Sequence, residues 1–180
     1  MMNYEEENMD WEKDYETFKS LIRNNDDEAS HTDYEMCRKC FEKNRVVCCC
    51  IFPCEIDASD LTEISESVIL KLLETGLVTL DKWDGSMDYE ETSMCLPDTY
   101  YLRMRSIEDK GPVYFGFGGE CVAWSDKGCT LEFYHRPYYG RMESCKDKIE
   151  TSSKFRSCKS WVPYQEILQN VVDMYLPRRC

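Results

Sequence analysis

Six cysteines fall within eighteen residues of this chain: Cys37, Cys40, Cys48, Cys49, Cys50 and Cys54. The stretch has neither a helical nor an alternating apolar period, so it reads as a ligand-bearing loop rather than a core helix or half-buried strand. Packing does not explain the density, because a buried free thiol behaves as a small hydrophobe that alanine or valine could replace. Cys37-Arg38-Lys39-Cys40 has the CxxC spacing that lets two thiolates of one turn reach the same metal, at about 2.3 Å for zinc. Thioredoxin-type redox motifs share that spacing, but they stand beside a βαβ pattern, and none is visible near residue 37. Neighbouring side chains point in different directions. The run Cys48-Cys49-Cys50 therefore suggests ligands shared between metal ions, or a structural thiol beside a ligand.

What the full set of 12 cysteines means depends on the compartment. No stretch approaches the roughly 20 apolar residues that cross a bilayer. The opening Met1-Met2-Asn3-Tyr4-Glu5-Glu6-Glu7 lacks the basic and apolar regions of a signal peptide, so the expectation is a cytoplasmic chain. A reducing compartment keeps thiols free, which turns cysteine density into a metal or redox signature. The charge of -13, from 35 acidic against 22 basic residues, argues against nucleic acid and anionic membranes as direct partners. At 180 residues the chain is long enough for one domain with a real core and needs no disulfide staples.

The acidity is concentrated at the start: residues 1–35 hold 12 acidic and 3 basic side chains, nine of the net negative charges. Within it Trp11, Tyr15, Phe18, Leu21 and Ile22 recur at near-helical spacing behind a capping Asp10, which predicts an amphipathic helix over about Asp10–Arg23. Such a helix either docks a partner or packs on its own domain. The expected organisation is an acidic helical segment over 1–34 and a cysteine-cluster domain over 35–180. In the second part, capping residues over Asp57–Glu63 precede Ile64, Val68, Ile69, Leu72 and Leu73, and Gly76 stops that helix. Leu77–Trp83 and Tyr100–Arg105 read as short strands around a polar loop, Asp84–Asp98. Cys121–Trp124 and Cys129–Phe133 read as a hairpin across Ser125–Gly128. After a second polar run, Ser144–Ser160, a final helix begins near Pro163 and places Ile167, Leu168, Val171, Val172 and Tyr175 on one face. The expected fold class is α+β: a small single domain with irregular cysteine-rich metal-binding loops, a short β-hairpin or sheet, and flanking helices.

Cys121 and Cys129 stand at the two ends of the hairpin, and Gly118, Gly119 and Gly128 allow close backbone approach there. Beside the upstream cluster the pair becomes the candidate second half of one site. The order is Cys37-Arg38-Lys39-Cys40, then Cys49-Cys50-Ile51-Phe52-Pro53-Cys54, then a helix ending Leu72-Leu73-Glu74-Thr75-Gly76. Gly119-Glu120-Cys121, Gly128-Cys129-Thr130-Leu131 and Arg136-Pro137 follow. Over roughly residues 35–142 this order resembles the YkgJ-type cysteine-cluster proteins, described as zinc- or iron-chelating. The resemblance implies a multi-cysteine metal site built from Cys37, Cys40, Cys49, Cys50, Cys54, Cys121 and Cys129, with zinc, iron or an iron–sulfur cluster as occupant, in one or several nuclei. It implies no reaction. The gap between CxxC and the paired cysteines is wider here, so Cys48 competes with Cys49 and Cys50. Cys145 and Cys158 are either further ligands or surface thiols.

All-thiolate sites suit zinc, copper(I) and iron–sulfur clusters, whereas carboxylate and imidazole donors suit iron or zinc with open positions. His31 and His135 are either surface histidines or ligands, and His135, just before Arg136-Pro137, is the better ligand candidate. No phosphate-binding glycine loop or serine-hydrolase motif is present, and Asp and Glu are too abundant for any carboxylate pair to stand out. The run Tyr134–Arg141 is either a recognition surface or an ordered loop with Arg136 paired to an acid. Three functions remain open. One is a structural metal in a binding module. Another is catalytic iron acting on a thiol or peptide. The last is an acidic inhibitory or immunity protein whose acidic face mimics nucleic acid or blocks a basic partner. A protein or peptide partner would meet the chain through the acidic leading segment or Tyr134–Arg141.

Overall fold

The computed structural model describes residues 10–24, 53–83, 98–142 (Phe117 and Lys127 apart) and 158–176. The first helix, α1 (Trp11–Leu21), starts where the Asp10 carboxylate accepts from the Lys13 amide; Glu12 and Asp14 in its first turn and Lys19 in its last complement the helix dipole. It stops because Ile22 turns extended and bridges to Leu61. Tyr15 and Phe18 face inward, Phe18 with no exposure at all, so α1 packs into the same core as the later elements.

A short strand, β1 (Glu55–Ile56), leads into the 3-10 turn Ala58–Asp60. The capping residues expected to open the next helix close this turn instead. Asp57 accepts from Ser59, and Asp60 accepts from the Asp57 amide, a reciprocal pair satisfied within four residues. Helix α2 (Glu66–Glu74) therefore begins later, capped by Ser65, and turns off at Gly76, whose φ of 68° favours glycine.

The sheet adds β2 (Val78–Trp83) and β3 (Thr99–Met104) in the antiparallel order β1-β3-β2. Its register pairs Val78 with Met104 and Leu80 with Leu102, which gives one apolar face. The other face carries Thr79 opposite Arg103 and Asp81 opposite Tyr101. Strands β1 and β3 share only two pairs, Glu55 with Arg103 and Ile56 with Leu102. At Tyr100 the Gln165 side chain takes the place of a further strand residue: its Oε1 accepts from the Tyr100 amide and its Nε2 donates to the Tyr100 carbonyl, both at 2.8 Å.

The hairpin is shorter than expected: β4 (Trp124–Ser125) pairs with β5 (Gly128–Cys129) alone. The cause is local, because the Trp124 amide donates to Cys121 and curls 121–124 into a turn, while 133–135 curls into a 3-10 turn. A one-and-a-half-turn helix, α3 (Tyr138–Met142), follows. Pro163 sits in the 3-10 turn Val162–Tyr164 that opens α4 (Gln165–Tyr175), and Leu168, Val171 and Val172 of α4 are buried. These elements are helices with a small antiparallel sheet, an α+β architecture. No helix among the described residues is long and apolar enough to cross a membrane.

Candidate metal centre

Three of the seven cysteines expected to bind metal, Cys54, Cys121 and Cys129, are among the described residues; Cys37, Cys40, Cys49 and Cys50 lie outside them, as do Cys48, Cys145 and His31. Cys54 stands just before β1, and its carbonyl accepts from the Met104 amide at 2.9 Å. Cys121 bridges to Ser106, with Val122 donating to the Arg105 carbonyl. Two cysteines distant in sequence thus flank the same exit of β3. Cys129, opposite Trp124, belongs to the hairpin that continues from Cys121. Cys121 is buried and the other two are half-buried.

The electrostatics differ among them. Burial pushes the Cys121 thiol up to about 12, the nearby Cys129 adds to the rise, and the Ala123 amide partly offsets it. At neutral pH the unliganded Cys121 is therefore a thiol and a poor nucleophile. Burial likewise raises the Tyr15 phenol, which accepts a hydrogen bond from the Glu132 amide and stands near Cys129. The Sγ of Cys54 lies 3.5 Å from where a Cβ on Gly140 would stand, so α3 backs directly onto this sulfur.

The donor type suits zinc or iron–sulfur iron, since thiolate sulfur is a soft ligand, and the nearby Arg103 charge favours the thiolate form of Cys121 against the stronger effect of burial. Yet among the described residues no three His, Cys, Asp or Glu side chains gather into a metal-holding group. The described cysteines on their own do not complete a site. His135, the imidazole with a ligand reading, has its Nδ1 3.4 Å from Glu132 Oε2. Cys158 is not a surface thiol: it is fully buried, close enough to Tyr101 to raise that phenol further. A cleft of about 570 Å³ runs beside Arg23, Ser59, Leu61, Ser160 and Tyr164, and none of the described cysteines lines it.

Gly118, Gly119 and Gly128 all have positive φ, but the expected close approach is seen at Gly119 and not at Gly118, where an added Cβ would meet nothing within 4 Å. At Gly119, φ is 90° and an added Cβ would meet the Ser106 hydroxyl and come within 2.9 Å of the Glu108 carboxyl carbon. Gly119→Ala should therefore lower stability by about 2–4 kcal/mol through backbone strain plus overpacking, read as a lower urea midpoint.

Two buried polar clusters escaped the sequence reading. Arg103, with no exposure, uses all five of its N–H groups: on Asp81 at 2.8 Å, on both oxygens of Asp109 at 2.7 and 2.9 Å, and on the Met104 and Gly116 carbonyls. Burial alone would lower its pKa, but Asp109 and Asp81 more than offset that and the net shift is upward. Residue type offered no clue, because Asp81 shares β2 with Thr79 and Lys82 and Arg103 shares β3 with Thr99. The second cluster joins Asp60 to the Tyr134–Arg141 run. Asp60 accepts from the Tyr138 amide, at 2.9 and 3.0 Å, and faces Arg141 at 3.7 Å, while the Arg136 Nε donates to the Leu131 carbonyl. Arg136, Tyr139 and Arg141 are buried, and Tyr134 is the exposed aromatic of the run.

Comparison with known proteins found no matching family model, no matching curated protein and no matching solved structure.

Proposed function

We propose that this is a cytoplasmic metal-binding protein in which cysteine thiolates hold zinc or iron, the reading first drawn from the cysteine order. The observation that carries it is the convergence of Cys54 and Cys121 on the Met104–Ser106 exit of β3, with Cys129 on the adjoining hairpin. Residues that share no helix or strand are brought to one end of the sheet, as a chelating site assembled from separate loops requires. Thiol donors bind as thiolates, so loading releases protons and is favoured as pH rises.

Elemental analysis of the full chain, purified anaerobically without chelator, should give at least one zinc or iron per chain. Cys54→Ser, Cys121→Ser and Cys129→Ser should each cut that content by more than half, with circular dichroism checking that the fold survives. Wild-type protein with less than one metal per chain overturns the proposal. A coloured protein with an exchangeable ligand position would assign catalytic iron, whereas colourless zinc saturated by cysteine would assign a structural centre.

A further inference from the structure

Asp60 sits at a junction of three separate parts of the chain. Its backbone carbonyl accepts from the Arg23 amide at the end of α1, at 2.8 Å. Its carboxylate, 2% exposed, accepts from the Asp57 amide in its own turn at 2.9 Å, and both oxygens take the Tyr138 amide at the start of α3. The charged groups acting on it include Asp57 on its own turn and Arg141 on α3, while Arg23 Nε donates to the neighbouring Leu61 carbonyl. Two residues beyond Tyr138, Gly140 stands against the Cys54 sulfur. The carboxylate that anchors α3 thus also sets how closely α3 covers that thiol.

We propose that Asp60 is a proton-operated clamp: ionised, it holds α3 by the Tyr138 amide and the Arg141 charge, and protonation loosens α3 from the Cys54 sulfur. A neutral carboxyl keeps one good acceptor oxygen in place of two and no longer attracts Arg141. Burial is the largest influence on this group, lifting it to about 6 from the usual 3.8 although the Tyr138 and Asp57 amides and Arg141 pull the other way. Proton uptake by the native fold thus precedes the acid range in which ordinary carboxylates titrate.

Because the folded carboxyl is raised, its contribution to overall stability is fully present below about pH 4 and is lost as pH rises through about 6. Local hold on α3 runs the opposite way, strongest above that range. Global unfolding and local protection of α3 should therefore respond to pH in opposite directions, which a merely structural aspartate would not produce. The clamp needs no metal on Cys54.

The test is NMR on the full chain as purified, from about pH 7.5 to about pH 5, with metal content measured on the same sample. The Tyr138 and Gly140 amide resonances should move together with a midpoint near 6, and the Arg141 amide, which donates to Pro137, should lose at least threefold in hydrogen-exchange protection after correction for intrinsic rate. In Asp60→Asn both responses should vanish. A wild-type Tyr138 amide that stays flat over this range overturns the clamp, as does unchanged titration in Asp60→Asn. If that variant fails to fold, the wild-type titration decides alone. A metal-free sample that titrates as described counts against the metal proposal and leaves the clamp standing.

Discussion

Arg103→Met should lower the free energy of unfolding by about 3–5 kcal/mol, the range for breaking a buried ion pair by removal of one partner. The reason lies less in the attraction lost than in what remains. Asp81 and Asp109 are 2% and 5% exposed, and both would be left as buried carboxylates without their cation. The Gly116 and Met104 carbonyls and the Asp109 carboxylate would lose donors at the same time. Arg103→Lys keeps the charge but offers three donors from one point in place of a planar fork of five, so it should fall between wild type and Arg103→Met. Urea unfolding at neutral pH measures the series. In Arg103→Met the deficit should shrink as the pH is lowered, because each abandoned carboxylate can take a proton. A loss below about 1 kcal/mol, within the range of a surface pair, would refute this account of the network.

The second large effect concerns Phe18. Its side chain is completely buried between Tyr15 and Ile22, which are themselves buried, and α1 packs on α2. Phe18→Ala should cost about 3–5 kcal/mol through lost transfer energy and the cavity left behind. The same geometry changes how a role for the acidic leading segment has to be examined. Deleting residues 1–35 would remove the core side chains Tyr15, Phe18 and Ile22 along with the charge, so lost partner binding would report lost folding. Charge reversal at the exposed Glu12 and Glu16 alters the acidic face and leaves Phe18 in place. Reversal gives up the Glu12 dipole contribution and the Glu16–Lys19 ion pair, so the variant should lose on the order of 1–2 kcal/mol without unfolding. Loss of binding in the reversed variant, with circular dichroism showing the fold retained, would support an acidic docking surface.

Periodicity made the helices and strands legible. Apolar residues at helical spacing located α1, α2 and α4, because burial of one helix face is a local property of sequence, and two short runs around a polar loop located β2 and β3, which are buried on both faces. Capping chemistry was less decisive. Asp57 and Asp60 satisfy each other within a single turn, so the same residues that can start a helix instead end one chain direction before Ser65 starts another. The hairpin shrank for a similar reason: the Cys121 carbonyl, free on paper to join a ladder, is taken by Trp124 three residues on.

The candidate site divides along the same line. The proposal that cysteines carry the chemistry, and the expectation that Gly119 and Gly128 permit unusual backbone near two of them, came from residue types and spacing alone, since thiol chemistry and glycine's conformational freedom belong to the residue; both glycines do have positive φ. Which elements meet did not come from them. Only the tertiary structure brings Cys54 and Cys121 to the same end of β3, buries Cys158, sets Gly140 against the Cys54 sulfur and places Asp60 under the first amide of α3. Among 35 acidic side chains, the sequence cannot mark Asp60, Asp81 and Asp109, because a carboxylate gains its meaning from burial and from the cation brought to it across the fold.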